Sequence, residues 1–268
     1  MPDAGGNALK GKWISMNETT IVEIEKFKPK NAILIEGLPG IGLVGKIAAE
    51  HLIAELKAKK VADLYSPHFP HQVIMQKNGV MRMIKNRFYH VKGKKNDLLI
   101  LVGDVQAVTS EAQYEATGKM LDYCEKKGVK LIITLGGYGT GKVPPSPRVF
   151  GIVSNKPMAE GYKKHGVIFG ESRGSIIGAA GLLLGLGKIR KIPGLCLMGE
   201  THGGFVDAKS ARALLETLCK VLEIKVDMKK LDERAKESEK FAKKMEQEAL
   251  AAKGIGAPAG KHDLSYIR

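Results

Sequence analysis

The stretch Asn31-Ala-Ile-Leu-Ile-Glu-Gly-Leu-Pro-Gly-Ile-Gly-Leu-Val-Gly-Lys46 decides the fold. Its first six residues form a short apolar run that stops at glycines. Such a run reads as a strand buried in a sheet. Ile41–Lys57 then carries a helical repeat, with Ala48, Leu52 and Leu56 on one face and Glu50, Glu55 and Lys57 elsewhere. A strand, a glycine turn and an amphipathic helix in succession predict the opening unit of an α/β sheet.

The pattern repeats along the chain. Val61–Tyr65, Asp97–Val102, Val129–Leu135 and Gly194–Met198 read as further strands, with Phe150–Ser154 and Val167–Phe169 as shorter ones. Val73–Gln76 and Val80–His90 flank Asn78-Gly79, which predicts a hairpin closed by a two-residue type I′ turn. Ser110–Lys127, capped by Thr109 or Ser110 and closed by Gly128, reads as a helix. Gly174–Gly187 reads as a helix or turn-helix, and Ala208–Leu222 as a helix with Ala211, Leu214, Leu215 and Leu218 on one side. Apolar strands alternating with amphipathic helices predict an α/β core over 1–225, a mainly parallel sheet sandwiched by helices.

After Leu222 the composition changes. Val226–Ala252 is dense in Lys and Glu and lacks Gly and Pro, with Met228, Leu231, Ala235, Ser238, Ala242, Met245, Ala249 and Ala252 spaced by three and four. A long C-terminal helix is expected over 226–253, docked on its own domain or on a neighbouring subunit. Gly254–Gly260 has a flexible-linker composition. Leu264, Tyr266, Ile267 and Arg268 put apolar residues among charges at the end of that tether, so 254–268 reads either as linker and docking tail or as a frayed terminus.

Composition narrows the function classes. There are 43 Lys and Arg against 28 Asp and Glu, a formal charge of +15. Nucleic acid is the first partner such a charge brings up. The cations are spread along the chain, however, and the basic run Arg82–Lys95 alternates with Met83 and Ile84 as a half-buried hairpin would. Nucleic-acid binding is therefore not the expectation. The longest uncharged stretch, Gly174–Gly187, is shorter than the roughly 20 apolar residues of a membrane helix. Cys124, Cys196 and Cys219 form no disulfide framework, and Met1–Lys12 shows no signal-like apolar run, so a cytoplasmic protein is expected.

Three glycine-rich segments carry the candidate chemistry. Gly40, Gly42 and Gly45 fit G-x-G-x-x-G between a strand and a helix, with Asp63 about 20 residues on, as in dinucleotide sites. The same loop reads as a P-loop ending in Lys46, with Ile47 where a hydroxyl would hold magnesium and Asp104 as the metal-holding carboxylate. Backbone N–H groups of such a loop bind anions, so Gly40, Gly42, Gly45 and Lys46 are the candidate anion site. Packing of the helix on the sheet explains the loop equally, and Leu38, Ile41, Leu43 and Val44 favour it. Gly136–Gly141 offers a second loop, with Lys142 and Arg148 as counter-charges. Gly199-Glu200-Thr-His202 offers an acid and a base, with no Ser or Cys nucleophile elbow beside them. His68-x-x-His71 is half a zinc site at most. No catalytic residue, metal or cofactor is assigned.

Taken together, Ile35–Lys46, Leu135-Gly-Gly-Tyr-Gly139, Gly194–Gly203 and Phe205-Val-Asp207 resemble the archaeal proteasome assembly chaperone family, similar to eukaryotic proteasome-assembling chaperone 2. The resemblance spans about 33–222. It implies a phosphorylase-like α/β sandwich without catalytic residues and a homo-oligomer with projecting C-terminal segments. It implies a non-enzymatic chaperone that binds proteasome α-subunits or a companion chaperone through Leu264, Tyr266, Ile267 and Arg268. Docking tails of this kind place Tyr next to last; here Tyr266 is third from the end. The alternative is a nucleotide-binding enzyme, P-loop-like or ATP-grasp-like, using Gly37–Lys46.

Overall fold

The computed structural model describes residues 17–170 and 174–237. Nine strands form one sheet in the order β1-β3-β6-β7-β2-β8-β11-β9-β10, and β4 and β5 form a separate ribbon. The centre is β7 (Leu98–Gly103), β2 (Ile33–Gly37), β8 (Leu131–Gly139) and β11 (Gly194–Thr201), all mutually parallel. On one side β6 (Asn86–Val91), β3 (Lys59–Tyr65) and β1 (Thr20–Glu23) continue it antiparallel. On the other, β9 (Val149–Val153) is antiparallel to β11 and carries the short β10 (Val167–Ile168). The sheet is therefore mixed, with the expected parallel sheet as its core.

Alternation along the central strands builds two cores. Ile33, Ile35, Ile100, Ile133, Leu195 and Leu197 face α1 (Val44–Glu55) and α5 (Ala208–Leu222). Leu34, Leu99, Leu101 and Ile132 face α2 (Ser110–Lys126) and α4 (Ala179–Ile189). Both faces are buried, which is why these strands read as unbroken apolar runs. A short helix, α3 (Met158–Lys163), joins β9 to β10. Thr109 is the cap of α2, its side chain accepting from Ala112 N at 3.3 Å. Gly128 takes the positive φ of 68° that closes this helix.

The structure corrects several expectations. The hairpin of β4 (Val73–Met75) and β5 (Met81–Met83) has no type I′ turn. Gly79 N donates to Gln76 O and Gln76 N to Val80 O, and Gly79 has a positive φ while Asn78 does not. That is a three-residue loop, a turn followed by a left-handed glycine. Val80–His90 is also not one strand. Ile84 and Lys85 separate β5 from β6, and Lys85 is turned inward to bind Asp63 at 2.8 Å. Gly136–Gly139 and Gly199–Thr201 are not loops after strands. They continue β8 and β11, paired Gly137↔Gly199 and Tyr138↔Glu200.

Helix resumes only at residue 229, after a break over 223–228, so the stretch expected from Val226 starts later. Leu231 and Ala235 of the expected stripe are buried against α1 and α5. The His51 ring nitrogen lies 2.7 Å from Asp227 O. Within 229–237 the helix thus docks on its own domain. The rest of the expected helix, the linker 254–260 and the tail Leu264, Tyr266, Ile267 and Arg268 lie outside the described residues.

Candidate functional site

The three glycine-rich segments, far apart in sequence, meet at the carboxyl edge of the parallel strands. The chain leaves β2 through Leu38-Pro-Gly40 and a 3₁₀ turn over Ile41–Leu43, then enters α1. Gly42 and Leu43 both adopt positive φ, 61° and 51°. Gly42 O accepts from Asp207 N at 2.9 Å, and a Cβ on Gly42 would stand 3.1 Å from Thr201 Oγ1. A Cβ on Gly45 would collide with the Leu135 carbonyl, and one on Gly137 with the Ile41 carbonyl. These glycines seat α1 and its entry turn on β8 and β11. Packing, not an anion, accounts for Gly42 and Gly45. Gly40 is extended and its carbonyl accepts from Leu43 N, forming the turn.

The side chains expected to face a nucleotide are engaged elsewhere. Lys46 Nζ lies 2.6 Å from Glu50 Oε1 and 3.0 Å from Gly103 O. Asp104 accepts two bonds from Arg82 at 2.6 and 3.0 Å, one from Arg87 at 3.2 Å and one from Lys85 N at 3.1 Å. Burial would raise its pKa, but the Arg82 bond, the Lys85 N–H and the Arg87 charge together hold it below the usual carboxylate range. Asp63 lies on β3, which β6 and β7 separate from β2, so the dinucleotide layout is not formed.

The remaining pairs are structural too. Arg148 holds Glu200 through Nε at 2.9 Å and a terminal nitrogen at 3.0 Å. That pairing lowers the Glu200 pKa, which makes Glu200 an anion and not a proton donor near neutrality. His202 stacks on Phe205 with ring centroids 5.1 Å apart, and its Nδ1 accepts from Gly204 N. His68 lies 3.9 Å from Glu115. Among the described residues no three His, Cys, Asp or Glu side chains gather to hold a metal ion. Burial pushes the Cys196 thiol up to about 12, far from a nucleophile's range.

Two features escaped the sequence reading. Glu36 ends the apolar strand facing inward, 1% exposed. Its Oε1 accepts from Leu38 N at 2.8 Å, holding the first residue of the loop, while Oε2 has no hydrogen-bond partner. Burial raises its pKa to about 8. A carboxylate inside an apolar strand was the available signal. Gln106 is the second: it donates to Pro39 O at 2.7 Å and accepts from Ala179 N at 2.9 Å, clamping the loop to the start of α4. Nothing in its sequence context marked it.

This edge presents apolar side chains outward beside the exposed Lys142 and Arg148. Ile41, Val108, Ile177 and Val206, from four different loops, are 51–75% exposed. The ribbon β4–β5 sits at the same edge, because it joins the end of β3 to the start of β6, beside Gly103 at the end of β7. Exposed apolar side chains gathered at one edge, with the Asp104 and Glu200 carboxylates paired, suit contact with another protein. Among the described residues no helix is long and apolar enough to cross a membrane.

Known proteins place this architecture. The PAC2 family model matches residues 34–246. An uncharacterised protein of Methanocaldococcus jannaschii is 39% identical over 241 residues, 89% of this chain and 93% of that one. The crystal structure of Pyrococcus furiosus PbaB, described as an archaeal proteasome activator, is similar with a TM-score of 0.82 and 48% identity. It covers 86% of this chain and all of PbaB. Pyrococcus furiosus PbaA, described as an archaeal homologue of proteasome-assembly chaperone, has a TM-score of 0.72 and 28% identity over 89% of this chain and 95% of its own. With the family model spanning most of its length, the chain belongs to the PAC2 family.

Proposed function

We propose that this protein is a non-enzymatic assembly or activating factor of the proteasome, working in the cytoplasm as a homo-oligomer through protein contacts alone. The observation that carries the proposal is the 48% identity to a proteasome activator over 86% of the chain. The carboxyl edge supports it, because its glycines are used for packing and its Asp104 and Glu200 carboxylates are paired. Lys46 and Asp104 are bound to protein partners, so nothing favours the nucleotide-binding alternative.

In this proposal residues 1–225 form a core with phosphorylase-like layering, the helix expected over 226–253 begins at 229, docks on that core at its start and continues beyond it, and 254–268 is a tether with a docking end. Leu264, Tyr266, Ile267 and Arg268 would engage α-subunits or a paralogous chaperone, combining apolar anchors with one cation. Ending the chain after Gly260 tests the tail. Interferometry against immobilised α-subunits should show at least tenfold weaker binding, mainly through faster dissociation. Unchanged dissociation would remove the tail from the contact and leave the core surface to explain it.

A further inference from the structure

The ribbon β4–β5 is built the wrong way round for a solvent-facing hairpin. Its register pairs Val73 with Met83, Ile74 with Arg82 and Met75 with Met81. Alternation therefore puts Val73, Met75, Met81 and Met83 on one face and Ile74 and Arg82 on the other. The polar residue points inward: Arg82 binds Asp104 at the end of β7, and Ile74 packs on the core beside it. The apolar face points outward. Met75 is 88% exposed and Met81 69%, with Val73 and Met83 near half. Val80 beside the turn is 55% exposed. Val108 is 71% exposed, on a loop whose backbone bonds to His68 just before the ribbon. A two-stranded ribbon is marginal in water by itself, and this one is held with its greasy side displayed.

We infer that this ribbon face is where a second copy of the chain docks, ribbon against ribbon about a two-fold axis. Three observations select that occupant. Antiparallel pairing gives the face a pseudo-two-fold pattern of its own, Val73 across from Met83 and Met75 across from Met81, so it is complementary to its copy, as an isologous contact requires. Like-charged chains of +15 must meet where their cations are neutralised. Here Arg82 is paired with Asp104, and Lys85 next to the ribbon with Asp63, while Lys77 stands exposed in the turn at the ribbon's end. The displayed side chains, with Val80 and Val108, also amount to several hundred Å² of apolar surface. That is as large as the largest patch of an ordinary monomer, which is often functional, and a large part of the roughly 800 Å² each partner contributes to a stable complex.

The inference rests on the homo-oligomer of the proposed function and supplies its surface, so the test separates the two. Native mass spectrometry is run on the full chain, on a Met75→Lys/Met81→Lys variant and on Ile189→Lys. Ile189 is 78% exposed at the far end of α4 and serves as the control. The expected result is an oligomeric wild type, an unchanged control, and a ribbon variant with half the subunits or fewer at the same concentration. Both ribbon sites are exposed, so the variant should keep the wild-type far-UV circular dichroism spectrum and give sharp native charge states. A second measurement needs no loss of function: Met81→Cys treated with a short bismaleimide should give cross-linked dimers, the native cysteines being buried. An oligomeric variant with the wild-type subunit number and no cross-link overturns the inference while sparing the homo-oligomer. A monomeric wild type overturns both. A variant that keeps its subunit number but loses α-subunit binding also overturns it, assigning the ribbon to the proteasome.

Discussion

Gly45→Ala lowers the melting temperature by about 10 °C, the largest effect of any single methyl group at the candidate site. The reason is local. Gly45 lies in the first turn of α1 with its backbone against β8, and an added Cβ would collide with the Leu135 carbonyl. Backbone cannot step aside as a side-chain end can. Helix α1 must lift from the sheet, which loosens its contacts with β2 and β8 and opens the core lined by Ala48, Ala49 and Leu52. Overpacking of this kind costs about 3 kcal/mol, and for a chain of this size each kcal/mol moves the melting point by about 2–4 °C. Gly118→Ala is the matched control. It sits within α2 with nothing inside 4 Å of its Cβ position, so it should raise stability by about 0.5–1 kcal/mol through helix propensity. Thermal melts of the two variants check this. Equal melting points would mean that α1 does not sit on β8 as described. The same comparison bears on function, because a loop whose glycines existed to cradle phosphate would tolerate a methyl group facing β8.

Glu36→Gln abolishes a fall in stability that the natural chain shows between acidic and mildly basic pH. Burial raises the Glu36 carboxyl from its ordinary value of 4.5 to about 8. The folded state therefore keeps a proton that the unfolded chain releases. A raised acid pKa favours folding fully below the unfolded value, and this contribution is lost as pH climbs from about 4.5 to about 8. The total is on the order of 5 kcal/mol for so complete a burial. Glutamine cannot ionise, so the difference between variant and natural chain isolates this one group. Melting points at pH 5 and pH 8.5 should converge for the variant and spread for the natural chain. At pH 8.5 the variant should be the more stable, even though its amide leaves a donor near an unsatisfied position. Parallel pH profiles for both chains would show that Glu36 is ionised or solvated. Because Glu36 Oε1 anchors Leu38 N, the titration also reports on the loop that shapes the carboxyl edge.

Much of this fold was legible because local signals agreed with it. The apolar run before Gly37 became β2, the helix after it became α1, and Ala208–Leu222 has the bounds that its pattern predicted. The misses share a cause, which is long-range pairing. Gly136–Gly139 and Gly199–Thr201 looked like loops because glycine is rare in strands, yet here its bareness lets β8 run close beneath Ile41 at Gly137 and β11 close beneath Ser210 at Gly199. Asp63 had the right spacing for a ribose partner, but spacing along the chain carries no strand order, and β3 lies beyond β6 and β7. The Asn-Gly turn failed by one residue, because a three-residue loop uses the left-handed glycine without asking the same of asparagine. At the site, the family motifs were visible as glycine clusters, while the reason for them, three segments locked together at one edge, needed the structure. The outward Met and Val face of the ribbon was hidden because alternation alone does not say which side meets the core.

The central claim is that this PAC2-family chain acts by holding proteasome subunits and not by turning over a substrate. One native mass spectrum of the full chain mixed with proteasome α-subunits at low micromolar concentration tests it most directly. The expected result is a new species whose mass is an integer combination of the two proteins, formed without added nucleotide or metal. Separate masses for the two proteins across that range, with no joint species, would contradict it.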